Sequence, residues 1–391
     1  MKRFLIMALL LTLCMGTLAK AEPAAPASPV PGNRLGLECL RALYNGKDNQ
    51  IVSPVSLAYA LSMAAAGAEG ETKAELLAAL DATDALDIAA LGDTLNGAGL
   101  RLANAAFVQP GTTLLSGYQE ALAGFGAEGF PLEDAARVNE WAREKTGGLI
   151  DPFLDELSDD TRLMLVNAAA MDAEWQLKFD AESTREDTFH APGGDVRVDF
   201  MGQVYDYPRY GEVDGTQVIA LDYRDSTLRM VLALPPENGM EEALDALAAR
   251  GRDALAFEPM DCRVYLRMPR LDVNAVNGLS GTLRALGVAR AFEDDADFSA
   301  LSDRPLKIDE VLQKVRVQVD EEGTRAAAVT AVLMVDGGEM VGEQRPMVSM
   351  LLDRPFILLI EDEQSGAIAF AGVVAAPEAP QIGEREMVEI G

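Results

Sequence analysis

One histidine, His190 in the stretch DTFHAPGG, bounds the chemistry available to this chain of 391 residues. A zinc site built from several imidazoles is excluded, and a Ser-His-Asp triad would have to use this residue alone. Its place beside Pro192-Gly193-Gly194 is that of a turn residue. No G-x-S-x-G elbow, P-loop or G-x-G-x-x-G turn occurs. The carboxylate pairs Asp159-Asp160 and Asp294-Asp295 fall in polar connections, and among 63 acidic residues such pairs arise by chance. Neither an enzyme nor a cofactor is expected.

A second candidate is chemically bland. Residues 319–332 read VDEEGTRAAAVTAV, three acids and a glycine followed by little but alanine, threonine and valine. That is a poor amphipathic helix and a poor polar loop.

The elements that would position these residues mix both periods. Helical spacing predicts helices over Leu35–Tyr44, Pro54–Ala66, Thr72–Leu80, Gly117–Phe125, Ala135–Lys145, Met240–Arg250 and Asn277–Leu286. Strands are predicted over Leu163–Ala170, Val196–Met201, Gln217–Tyr223, Leu228–Leu234, Val264–Pro269, Val311–Val319, Pro355–Glu361 and Ala367–Val374. The last two, joined by EQSG, read as a hairpin. Strands dominate the second half without regular helix alternation, which predicts an α+β fold.

The N-terminus carries Lys2 and Arg3, an apolar run from Phe4 to Leu18, and Ala19-Lys20-Ala21. This is a secretory signal over residues 1–21, so a secreted or periplasmic protein is expected. Lipidation at Cys14 is disfavoured because Leu13 is the wrong size for that cleavage. A Pro/Ala-rich linker follows over residues 22–34. The signal holds Lys2, Arg3 and Lys20, so its removal takes three of 33 basic residues and leaves 30 against 63 acidic, a net charge of −33. Such a surface repels nucleic acid and anionic lipid, and neither is expected as a partner. Cys39 and Cys262 remain, either as a disulfide or as two buried thiols.

Five ordered blocks resemble the serpin family. IVSPVSLAYALSMAAAGAEGETKAELLAAL (Ile51–Leu80) is similar to its early helix pair. VNEWAREKTGGLI (Val138–Ile150) is similar to its Asn-x-Trp helix and following turn, and LVNAAAMDAEWQLKFD (Leu165–Asp180) to the next strand. VQVDEEGTRAAAVTAV leads into the reactive loop, and Asp353–Pro377 resembles the C-terminal hairpin. The resemblance is to a bacterial-type exported member, with the domain over residues 35–377 and an acidic tail over 378–391. It implies one monomeric domain with three β-sheets, about nine helices and an exposed loop that baits a protease. After cleavage begins, such a loop enters the main sheet as a new strand.

The resemblance assigns the loop's hinge to Glu321, Glu322, Gly323, Thr324, Ala326, Ala327, Ala328 and Thr330. Of these, Thr324, Ala326, Ala328 and Thr330 turn inward and are small, while Arg325 takes the opposite parity. Gly323 would supply backbone freedom. A strand threading a packed core meets a cost of about 1–3 kcal/mol for each oversized side chain, so the run is bland because it must be exposed in one state and buried in another. An inert Ala-rich linker would explain the small residues but not the β-branched Val329 and Val332. Ser53, Ser56, Asn167 and Gln313 match the region where the sheet opens. Gln313 stands where the family usually has a histidine bonded to the asparagine, and its amide can donate and accept without titrating.

The family's usual count from Glu321 implies Gly337 as the residue before the cleaved bond, while counting back from Asp353-Arg354-Pro355-Phe356 as in short-loop members implies Gln344. The loop is thus longer than usual by about seven residues, roughly 23 Å of extended chain. Slack on the hinge side would leave a tether loose, so cleavage is expected near Gly337-Gly338, within Met334–Met340. Arg345 is the trypsin-type alternative. The residues around Gly337 fit a small or shallow specificity pocket, elastase-like or subtilisin-like. A non-inhibitory binding protein is the competing reading, though such members carry bulky or charged hinge residues.

Overall fold

In the computed structural model the described residues are 29–146, 148, 154–158, 161–324 and 345–378. The stretch read as a signal peptide, most of that read as linker, most of the acidic tail, the expected hinge residues Ala326, Ala327, Ala328 and Thr330, and the cleavage candidates Gly337, Gly338 and Met340 lie outside them. The described residues form an α+β fold with eight α-helices and sheets of six, four and seven strands. The first helix, Asn33–Leu43, begins two residues inside the stretch read as linker.

The seven-stranded sheet positions everything that follows. Its order is Glu128–Pro131, Leu100–Val108, Leu163–Met171 and Glu310–Val319, with Leu271–Gly278 flanking the last of these. Two short strands, Gly323–Thr324 and Ala173–Glu174, complete it at one end. Leu163–Met171 is buried at all nine positions. It reads as a continuous apolar run because both its faces are covered. Leu163, Leu165, Ala169 and Met171 join the core with the helix Pro54–Gly67, while Met164, Val166 and Ala168 pack with Val138, Trp141 and Ala142 of the helix Ala135–Lys145.

The helix Pro54–Gly67 buries 13 of its 14 residues, which suits a helix apolar on every side. Pro54 opens it, and Ser53 caps it by accepting from the Ser56 N–H at 3.4 Å. The C-terminal strands Phe356–Asp362 and Ile368–Val374 pair as the expected antiparallel hairpin.

Several elements differ from the sequence reading, and three of them lie close to the site. Residues 277 and 278 end the strand Leu271–Gly278, and the helix predicted over Asn277–Leu286 is confined to Ser280–Ala285. Eight register pairs with Leu312–Val319 hold that strand, so sheet pairing overrides local pattern. Leu100–Val108 and the helix Ala89–Gly97 were not anticipated. The strand's sequence LRLANAAFV is rich in helix formers, and its burial between neighbours decides its state. Cys39 and Cys262 are both buried free thiols, and burial pushes Cys39 up to about 12.

Candidate functional site

The two central strands of the large sheet run parallel, paired from Glu310 opposite Met164 to Val315 opposite Ala169. Further along they stand one strand apart. There Thr324 pairs with Val319 on one side and with Ala173 on the other, and Gly323 pairs with Glu174. The sheet is therefore a closed seam below and a mouth above, with two residues already seated in the mouth.

Four carboxamides cross the seam in one row. Asn104 is opposite Asn167, Asn167 opposite Gln313, and Gln313 opposite Asn277. None is more than 6 % exposed. Burying amides without partners is costly, and each of the four makes at least one hydrogen bond, while Asn167 Oδ1 is buried with none. Gln313 accepts from the Ser53 N–H and donates to the Ser53 carbonyl, both at 2.9 Å. Asn167 donates to the Ser56 carbonyl at 2.9 Å and to Asn104 Oδ1. Asn277 donates to the Ile51 carbonyl at 2.7 Å. The structure thus gathers Ser53, Ser56, Asn167 and Gln313 as one cluster, with both serines serving through their backbone. Gln313 bonds the Ser53 backbone, where the resemblance had implied a bond to Asn167. Asn104 and Asn277 escaped the sequence reading. The signal was there, since an asparagine inside LRLANAAFV is a polar residue in an otherwise apolar run.

At the mouth, Glu321 is buried against Arg270, which donates to it from Nη2 at 2.7 Å and from Nε at 3.0 Å. Thr184 Oγ1 adds a bond at 2.5 Å. Burial alone would push the Glu321 carboxyl up, but the bonds from Arg270 and Thr184 outweigh it and hold the group below its ordinary value. Arg270 also reaches Asp199 at 2.9 Å. Glu322 is held at 2.5 Å by Lys178, whose ammonium this bond raises above its usual range. The Glu322 carbonyl accepts from the Trp175 N–H at 2.9 Å, and the Asp320 carbonyl from Trp175 Nε1 at 2.9 Å.

Gly323 is needed for proximity more than for backbone freedom. It is absent from the positive-φ residues, yet a Cβ there would overlap the Ala173 carbonyl oxygen. Thr324 is buried, and its hydroxyl lies 2.5 Å from that of Tyr223, whose ring stacks on Trp175 with centroids 4.6 Å apart.

Arg345 lies at the other root of the segment, ahead of the strand Met347–Leu351. Its guanidinium carbon sits 3.7 Å from the centroid of the Tyr207 ring, and Nη1 donates to the Asp206 carbonyl at 2.7 Å. Its side chain is 21 % exposed. His190 is exposed on the hairpin Arg185–Ala191 and Gly194–Tyr205, 2.9 Å from Asp195, whose hydrogen bond raises its pKa. Both side chains of this pair are exposed.

The profile of the family described as Serpin (serine protease inhibitor) matches residues 32–377. A serpin-like protein of Thermococcus kodakarensis is 33 % identical over 365 residues, covering 88 % of this chain and 85 % of its own. Iripin-2 of Ixodes ricinus is 34 % identical over 368 residues, covering 88 % and 91 %. Among solved structures, the native-state thermophilic serpin Tengpin superposes with a TM-score of 0.78 at 28 % identity, covering 88 % of this chain and 93 % of its own. Relatives also include a putative serpin of Oryza sativa, and this spread gives no support to a bacterial-type assignment.

Proposed function

The chain belongs to the serpin family, and on that premise we propose that it traps a serine protease as a suicide substrate. Members of this family are generally inhibitors that partner with target proteases, and some are non-inhibitory. The observation that favours inhibition is that Thr324 pairs on both sides, with Val319 and Ala173, and Gly323 with Glu174, at the mouth of the seam. A strand begun there needs only to continue.

Continuing that antiparallel register, Thr330 would come opposite Gln313 on one side and Asn167 on the other. Ala326, Ala328 and Thr330 share the parity of buried Thr324, so small side chains would meet the packed face. Insertion would add a strand's worth of backbone hydrogen bonds and side-chain burial.

The protease serine would attack the carbonyl of Gly337 and form an ester as the bond to Gly338 breaks, the new amine taking the proton. Insertion would then carry the acyl-enzyme away before water hydrolyses the ester. Arg345 is a poorer site, because a protease would have to strip it from Tyr207 and Asp206. Lys2, Arg3 and the apolar run after them favour export, where such a target would be met.

The test is incubation with elastase-, subtilisin-, trypsin- and chymotrypsin-like proteases, read on a denaturing gel. A covalent adduct releasing a fragment that begins within two residues of Gly338 is expected. Cleavage without adduct across the panel overturns the inhibitory reading, and a fragment beginning at Pro346 overturns the bond assignment.

A further inference from the structure

We propose that Arg345 and Tyr207 are positioning residues for capture, a clamp that fixes the second root of the bait segment until a protease cuts it. This rests on the reading above that the segment after Thr324 is the bait, and goes beyond it by assigning a step to residues outside the hinge. The first root is Thr324 with its seated neighbours. The second is Arg345, where the chain returns to the body ahead of the strand Met347–Leu351.

Among the described residues three contacts hold the Arg345 side chain. Its guanidinium lies over the Tyr207 ring, 3.7 Å from the centroid, Nη1 donates to the Asp206 carbonyl at 2.7 Å, and the Asp261 carboxylate stands 3.8 Å away. The Asp206 carboxylate in turn accepts from Arg263 Nε at 2.5 Å, and the Arg263 N–H donates to the Pro346 carbonyl at 2.9 Å. These links close a ring from the Arg345 side chain through Asp206 and Arg263 back to Pro346, its neighbour in the chain. The ring ties together the ends of three paired strands, since Arg263 is opposite Met347 and Val264 is opposite Tyr205.

The backbone is stiff at both stacked residues. Pro208 follows Tyr207 and Pro346 follows Arg345, and a residue before proline is biased to extended conformations. A planar guanidinium stacked on an aromatic ring keeps its attraction even at an exposed site. Tyr207 is 81 % exposed, so its ring adds little to the core, and what it does is hold Arg345.

A protease engages a bait in one extended geometry, and every joint left loose at a root adds conformations that docking must remove. The clamp removes those at Arg345 in advance. Its influence ends with the cut, because the portion that enters the sheet is then severed from Arg345. Capture should therefore depend on the clamp, and the fate of the acyl-enzyme should not.

The test compares the wild type with Tyr207→Ala, Tyr207→Phe and Arg345→Gln, using a protease that cuts the wild type within Met334–Met340. Tyr207→Ala and Arg345→Gln should slow the second-order rate of attack on the bait roughly two- to tenfold. Both should leave unchanged the moles of protein consumed per mole of protease trapped. Tyr207→Phe keeps the ring and should keep the wild-type rate. Unchanged rates in the first two variants, an altered stoichiometry, or a phenylalanine variant as slow as the alanine one overturns the proposal. Should Arg345→Gln fail to fold, the two substitutions at exposed Tyr207 decide. A wild type that is cut without adduct removes the inhibitory reading alone, and the cutting rates of the same variants still decide the clamp. A wild type that no protease cuts within Met334–Met340 overturns both.

Discussion

Gln313 and Asn167 stand opposite each other in the parallel ladder, yet each directs its amide to the backbone of residues 53–56. No member of the row Asn104, Asn167, Gln313 and Asn277 titrates. Sheet opening, measured as uptake of a synthetic peptide with the sequence of residues 324–337, should therefore be flat between about pH 5.5 and 8. Gln313→His should introduce a slope. Burial disfavours the imidazolium, so falling pH should weaken the seam and speed uptake. A wild-type rate that changes severalfold across that range would locate control elsewhere.

The pair Glu321 and Arg270 should dominate the stability of the mouth. Arg270→Met leaves a buried carboxylate without its main partner, at a cost of about 3 kcal/mol at neutral pH. Because the Glu321 carboxyl is held below its ordinary value, its contribution is complete above the unfolded pKa and is lost as pH falls through the folded one. The gap between variant and wild type in urea midpoint should narrow as pH drops below about 4. A gap that stays constant would show that the pair is not the source.

Gly323→Ala should expel the seated residues from the mouth. The added methyl meets the Ala173 carbonyl and the Glu174 backbone, neither of which can yield as a flexible side chain would. The strain is about 1–3 kcal/mol. Trypsin cutting after Arg325, next to Thr324, should accelerate in this variant. An unchanged rate would mean that the seated pair does not control access to the hinge.

Thr324→Arg should convert an inhibitor into a substrate. Thr324 is 1 % exposed and bonded to Tyr223, so an arginine there must be buried unpaired or stay outside and block insertion. With a protease that forms an adduct with the wild type, the variant should give cleaved protein instead. Thr324→Val, which loses the hydroxyl contact but keeps the shape, should retain most of the adduct. Unchanged stoichiometry for the arginine variant would overturn the hinge assignment.

Much of this architecture was legible in local sequence. The C-terminal hairpin and the helices Ala135–Lys145 and Met240–Arg250 follow from periodicity and turn residues. The small, alternating side chains from Thr324 to Thr330 are likewise a property of the chain itself, and so is a non-titrating side chain at Gln313. What local pattern could not supply was partnership. Leu100–Val108 carries no assignment until its neighbours are known, and Asn277 reads as part of a helix until Leu312–Val319 lies beside it. Two of the bonds that define the site join residues 111 and 260 positions apart, from Asn167 to Ser56 and from Gln313 to Ser53. Small alternate residues and a glycine are chosen by composition, and sequence alone determines them. Which four amides share a row, and that Gly323 is required by a neighbouring carbonyl, only tertiary structure decided, because register and close approach are relations between segments brought together by folding.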